Sequence, residues 1–85
     1  MTSAEILLDI VDVVVEPHHK LLLTFENGEV RRFDMSPYLD RRPWVKLNSP
    51  AQFAQAHVAN GTVVWPGDID LAPEPLYRDS VPVQR

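Results

Sequence analysis

Apolar and polar residues alternate over short stretches of this chain, which is the period-two pattern of half-buried β-strands. Two Asn-Gly pairs, Asn27-Gly28 and Asn60-Gly61, each lie between two such stretches. A two-residue hairpin loop needs positive φ at both central residues, and Asn and Gly tolerate that conformation best. The pattern therefore predicts two β-hairpins, whose strands are residues 21–25 with 30–34 and residues 56–59 with 62–65.

Two-residue loops also predict the register of each hairpin. We expect Phe25 opposite Val30 in the first hairpin and Val58 opposite Val63 in the second. Alternate side chains along a strand point to the same face, so each hairpin has one apolar face that packs into a core. The predicted core residues are Val11, Val13, Leu21, Leu23, Phe25, Val30, Phe53, Val63, Trp65 and Leu71.

The remaining predicted elements are short. Residues 8–16 include the β-branched run Val13-Val14-Val15, which favours a strand. Helical turns are predicted near Pro37, Pro50 and Pro73, because proline suits the first turn of a helix.

Together these elements predict the α+β fold class. We expect a small antiparallel-dominated sheet of about five strands, built on the two hairpins, with short helical turns. Ser49 is expected to cap the helix at Pro50, and Gln52 to complete a capping box with it. Residues 1–79 are predicted to form a single domain, followed by a mobile C-terminal tail over residues 80–85.

Length and composition narrow the class of protein further. The chain has 85 residues, enough for one domain with a thin core, and it has no cysteine for disulfides or thiolate metal sites. The N-terminal apolar residues are interrupted by acids and lack the basic start of a signal peptide. No run approaches the roughly 20 apolar residues of a membrane span. We therefore expect a cytoplasmic protein that does not bind a membrane.

The charge balance argues against nucleic acid as a direct partner. The net charge is −4, whereas nucleic-acid binders gain affinity by neutralising phosphates with clustered Lys and Arg. The densest basic group is Arg41-Arg42 with Lys46 nearby, which we interpret as a solvated, charged turn.

Two groups of polar residues are candidates for chemistry. Asp68 and Asp70, together with His57, have the residue types of a metal-dependent or acid–base site, but Asp-x-Asp lacks the glycine and terminal glutamate of a calcium loop. We interpret both aspartates as turn and capping residues. His18 and His19 are adjacent, and adjacent strand residues point to opposite faces, so they do not predict a shared metal ion.

No catalytic, cofactor-binding or metal-binding residue is therefore predicted, and no cofactor. Trp44 and Trp65 are either core residues or anchors for a partner, and the sequence leaves both alternatives open.

Four motifs in order resemble a known family. They are Asn27-Gly28-Glu29, Phe33-Asp34, Val64-Trp65-Pro66 and Asp70-Leu71-x-Pro73. This ordered set resembles the bacterial and archaeal family catalogued as domain of unknown function 2442, over roughly residues 11–79. The chain departs from the family pattern at Arg32, where a β-branched apolar residue is more typical.

The resemblance implies a small α+β fold with no established catalytic residues. Members are usually short, stand-alone proteins, and some carry a helix-turn-helix domain after this one. Their genes often neighbour another small family, in arrangements like those of toxin–antitoxin pairs. Because this chain ends at Arg85, we expect no appended DNA-binding domain.

Three functional hypotheses follow. The first is a small non-enzymatic interaction or regulatory module that binds another protein or itself. Binding would use a free sheet edge or an aromatic patch. An antitoxin-like role with a neighbouring small protein is one form of this hypothesis. The second is a small enzyme that uses Asp68 and Asp70. The third is an accessory to a DNA-binding regulator.

Overall fold

The computed structural model of the protein describes residues 8–83. Its elements, in chain order, are β1 Ile10–Glu16, β2 Lys20–Phe25, β3 Val30–Asp34, a 3-10 helix Ser36–Tyr38, a second 3-10 helix Trp44–Asn48, α1 Pro50–Phe53, β4 His57–Ala59, β5 Thr62–Trp65, β6 Ile69–Leu71, α2 Pro73–Arg78 and β7 Val81–Pro82.

The strands form two antiparallel sheets, so the α+β prediction holds at the level of class. Sheet A has the strand order β1-β2-β3-β7, and sheet B has the order β4-β5-β6. The prediction of about five strands in one sheet is wrong, because the described residues contain seven strands in two sheets. The strands β6 and β7 are only three and two residues long, too short for a period-two pattern to reveal them.

In sheet A, the predicted register between β2 and β3 is wrong by one residue. Val30 lies opposite Thr24 rather than opposite Phe25. The N–H of Phe25 donates to the carbonyl of Glu29, and the N–H of Gly28 donates to the carbonyl of Phe25, each over 2.9 Å. These bonds close a three-residue loop in which Gly28 has φ +91°, so a single left-handed position replaces the two that a two-residue loop requires.

In sheet B, β4 and β5 pair with Val58 opposite Val63, which is the predicted register. Asn60 and Gly61 connect these strands with φ values of 54° and 78°. The carbonyl of Gly61 accepts a hydrogen bond from the N–H of Ile10 at 2.9 Å, which ties this turn of sheet B to the start of β1.

One core lies between the sheets and the helices. Seven predicted core residues are buried, namely Leu21, Leu23, Phe25, Phe53, Val63, Trp65 and Leu71. The other three predictions are wrong: Val13 and Val30 are only partly buried, and Val11 is 56% exposed. Val11 fails because a register shift between Ile10 and Asp12 leaves it without a partner on β2. Buried residues that were not predicted are Ile10, Phe33, Met35, Leu47, Ile69 and Leu76.

The helical turns begin where proline predicts them. The Ser49 hydroxyl accepts a hydrogen bond from the N–H of Gln52, so the predicted cap is present. The reciprocal half of the capping box is not, because the Gln52 side chain donates to the carbonyl of Pro66 instead. This contact links α1 to the turn between β5 and β6.

Packed structure continues beyond the predicted domain boundary at residue 79. Ser80 is buried, and Val81 and Pro82 pair with Arg32 and Arg31 of β3. Of the predicted tail, residues 80–83 therefore contact the domain, and residues 84 and 85 lie outside the described part.

Candidate interaction surfaces

The side of sheet A that faces away from the core, which we call the outer face, carries a row of three apolar residues and one arginine. Val14 of β1 lies opposite Leu22 of β2, Leu22 opposite Arg32 of β3, and Arg32 opposite Val81 of β7. Directly opposed residues share a face, so these side chains form one row across all four strands. Val14 is 48% and Val81 is 60% exposed, and Leu22 is partly buried.

One charged pair includes Arg32 of this row, and a second pair lies beside the row. Arg32 donates to both carboxylate oxygens of Glu16, at 2.7 and 3.1 Å, and Lys20 lies 4.0 Å from Asp34. The hydrogen bonds from Arg32 lower the pKa of Glu16 below its usual value. The pairing also explains why a charged residue is accepted at Arg32, since its guanidinium lies on the outer face and outside the core.

The edges of both sheets are short or already occupied. β1 lies beside β4 and β5, and Ile10 is hydrogen-bonded to Gly61. At the edge of sheet B, the carbonyl of Asp70 accepts a hydrogen bond from the indole of Trp44 at 2.9 Å. β7 contains Pro82, which has no N–H to donate to a further strand. The edges therefore offer little to an incoming strand.

A concave region lies over sheet B, and it brings together the three residues that the sequence offers as candidates for chemistry. His57, Val64 and Asp70 form a row across β4, β5 and β6, and the turn that contains Asp68 adjoins them in an open groove of about 500 Å³. Both aspartates are exposed. Within residues 8–83, no three His, Asp or Glu side chains are placed to hold a metal ion. The groove thus assembles polar groups without arranging them as a metal centre.

His19 has a packing role. Its Nε2 is 2.9 Å from the carbonyl oxygen of Leu47, and its ring lies 4.9 Å from that of Phe53. His18 is exposed on the turn before β2, where both histidines have positive φ. Since the two imidazoles have different environments, they form no pair of ligands.

The two tryptophans contribute to packing in different ways. Trp65 is buried, and its indole N–H donates to the carbonyl of Phe53 at 3.0 Å. Trp44 is partly buried, packs edge-on against Tyr38 and is hydrogen-bonded to Asp70. Trp65 is therefore a core residue, while Trp44 joins the second 3-10 helix to sheet B at the border of the groove.

A polar network that sequence reasoning missed connects β3 to α2 and to the C-terminal segment. Arg31 donates to Glu29, to the Ser80 hydroxyl and to the Ser80 carbonyl over 2.7–3.0 Å, and its guanidinium lies 4.2 Å from the centre of the Tyr77 ring. Hydrogen bonds from Asn27, then from Tyr77 and Arg31, lower the pKa of Glu29. The one-residue error in register hid this network, because it placed Arg31 on the outer face.

Another polar residue of the motifs, Asp34, also has a structural role. Its carboxylate accepts a hydrogen bond from the N–H of Ser36 at 3.0 Å, which lowers the pKa of Asp34. Asp34 therefore satisfies the first N–H of the 3-10 helix from two residues earlier. The motif residues Glu29 and Asp34, together with Arg31, fix loops and helix ends.

The geometry defines a small α+β domain of two antiparallel sheets with an exposed sheet face and an open groove. The chain belongs to the DUF2442 family, described as a protein of unknown function, whose family model matches residues 10–82. No curated protein and no solved structure matches the chain. Among residues 8–83, the helices are all too short and too polar to cross a membrane.

Proposed function

We propose that the protein is a non-enzymatic interaction module that binds another protein through the outer face of sheet A. The observation that carries this proposal is the distribution of exposed apolar side chains. Of the four large apolar residues that are exposed in the described part, Val14 and Val81 lie in the row across the outer face, and Val11 belongs to sheet A at the register shift in β1. Exposed apolar groups gathered on one surface and bordered by charges are typical of protein-binding sites.

The arrangement of the outer face suits a protein partner. Its row crosses the full width of the sheet, with Arg32 between Leu22 and Val81, and the Arg32 guanidinium is paired with Glu16, the last residue of β1. A partner that covers Val14, Leu22 and Val81 buries their apolar area and also covers Arg32, whose charge is already neutralised by Glu16. An antitoxin-like role, in which the partner is a small protein encoded by a neighbouring gene, is one form of this proposal, and it rests on the gene arrangements that the family resemblance implies.

Co-expression with the product of the adjacent gene tests this proposal. We expect the wild-type chain to retain that product through size-exclusion chromatography, and Val14→Glu or Val81→Glu to lose it, because each puts an unpaired charge into the interface. Ala54→Glu is the matched control, since Ala54 is exposed after α1 and outside sheet A.

The result must separate loss of binding from loss of folding. Val14 and Val81 are exposed, so their substitutions are expected to change the free energy of unfolding by no more than about 0.5 kcal/mol. Equal retention by Val14→Glu, Val81→Glu and wild type, or no retention by the wild-type chain, would contradict the proposal.

A further inference from the structure

Three cations lie together on the surface of the loop and 3-10 helix that precede α1, a region we call the basic segment, residues 41–46. Arg41, Arg42 and Lys46 are all exposed. Every other Lys or Arg among residues 8–83 has a carboxylate within 4.0 Å, whereas these three have none there. In a chain of net charge −4, the unpaired positive charge of the described part is thus concentrated in six residues.

An exposed apolar side chain lies within the same segment. Val45 is 42% exposed, and it is the large exposed apolar residue that does not belong to sheet A. An exposed apolar side chain among cations is typical of a surface that binds an acidic protein segment. The apolar side chain contributes buried area, and the cations complement the negative charge of the partner.

The basic segment is held in place by its neighbours. The N–H of Val45 donates to the carbonyl of Arg41 at 2.8 Å, and Asn48 donates to the carbonyls of Leu39 and Val45. Leu47 is fully buried directly after the segment. A surface that is fixed before binding loses little conformational entropy when a partner docks.

The aromatic rings nearby already have partners within the chain. The Arg41 guanidinium lies 5.3 Å from the centre of the Tyr38 ring, and the Tyr38 and Trp44 rings are perpendicular to each other. The Trp44 indole is engaged with Asp70. Proteins that bind single strands rely on open aromatic faces, and the acidic remainder of this chain repels a long polyanion.

We propose that the basic segment is a second docking surface, separate from the outer face of sheet A, which binds a short acidic segment of a partner protein. Arg42 and Lys46 contact its carboxylates, and Val45 contacts an apolar side chain between them. Since the two surfaces are built from different elements, the failure of either proposal leaves the other intact.

Fluorescence anisotropy with a labelled peptide that alternates Glu and Leu tests this inference. We expect binding at low ionic strength that weakens at physiological salt, and Arg42→Glu or Lys46→Glu to weaken it about tenfold. Lys20→Glu is the matched control, because it makes the same change of charge on sheet A. Amide resonances of the peptide-bound chain are expected to shift at residues 41–46.

Three results would overturn the inference. They are no binding of the peptide to the wild-type chain at low salt, equal weakening by Lys46→Glu and Lys20→Glu, or tighter binding of a single-stranded DNA oligonucleotide of the same charge. An unchanged free energy of unfolding in each variant confirms that the fold is intact.

Discussion

Two adjacent arginines of β3 have different structural roles because they lie on opposite faces of sheet A. The Arg31 side chain is only 12% exposed and is enclosed by Glu29, Tyr77 and Ser80. Arg32 is paired with Glu16 on the outer face. Residue type alone does not distinguish these roles; the register of β2 and β3 does.

Replacement of Arg31 by Met is expected to destabilise the fold strongly. The variant leaves the Ser80 hydroxyl and Glu29 without a charged donor in a partly buried site, and we expect the free energy of unfolding to fall by about 2 kcal/mol. Arg32→Met is the matched control, and a smaller loss is expected because that pair is more exposed. Urea denaturation measures the free energy of unfolding of both variants. Equal decreases would show that the Arg31 network stabilises the fold no more than the Arg32–Glu16 pair does.

The same network predicts a dependence of stability on pH. The folded pKa of Glu29 is lower than its usual value of 4.5, owing first to Asn27 and then to Tyr77 and Arg31. Its ionised form therefore stabilises the folded state above pH 4.5, and this contribution is lost as the pH falls through the folded pKa.

Glu29→Gln tests this contribution. The variant is expected to lose less stability than the wild type between pH 7 and about pH 3, because one of the carboxylates that must be protonated is gone. Urea denaturation across that range gives the two slopes. Parallel curves for wild type and variant would contradict the assignment.

At the scale of elements, the turn between β4 and β5 joins the two sheets. A Cβ atom at Gly61 would lie 2.6 Å from the Asp9 carboxyl carbon, whereas a Cβ at Gly67 would meet nothing within 4 Å. Both glycines have positive φ. Close approach to β1 is thus specific to Gly61, and it accompanies the hydrogen bond from Ile10.

Gly61→Ala is expected to destabilise the protein more than Gly67→Ala does. Both variants bear the conformational cost of a left-handed alanine, about 1–2 kcal/mol, and Gly61→Ala must also displace Asp9. Thermal unfolding of the two variants gives the comparison. Equal melting temperatures would mean that sheet B does not depend on this contact with residues 9 and 10.

The elements also differ in how far the sequence predicts them. The strands that flank Asn60-Gly61 have the predicted register, because both residues of the turn have positive φ. In the pair Asn27-Gly28, only Gly28 has a positive φ, and the resulting three-residue loop shifts the register of β2 and β3 by one residue. A dipeptide signal cannot distinguish these loops, since their geometry depends on the strands that they connect.

At the scale of the whole molecule, the two sheets leave one face exposed on each side of a shared core. The sequence predicts much of that core because its alternation is strong, but it cannot predict which apolar residues remain outside. Leu22 belongs to the same apolar run as the buried Leu21 and Leu23, and Val14 lies between the partly buried Val13 and Val15. Only the pairing of four strands places them in a row with Val81. The outer face is therefore a property of tertiary structure.

The positions of the candidate polar residues also depend on the tertiary structure. The sequence separates His57 from Asp70 by thirteen positions, and the order β4-β5-β6 brings them to one groove. The basic segment is visible in the sequence as three cations, but their lack of partners in the described part and the exposure of Val45 appear only after folding.

Methyl NMR of the chain in complex with the product of the adjacent gene tests the central claim most directly. With the chain labelled at Val and Leu methyl groups and the partner protonated, we predict that saturation of the partner attenuates the Val14, Leu22 and Val81 signals. Val64, which lies in the groove over sheet B, should keep its intensity. Attenuation of Val64 with no change at Val14, Leu22 and Val81 would contradict the assignment of the outer face as the binding surface.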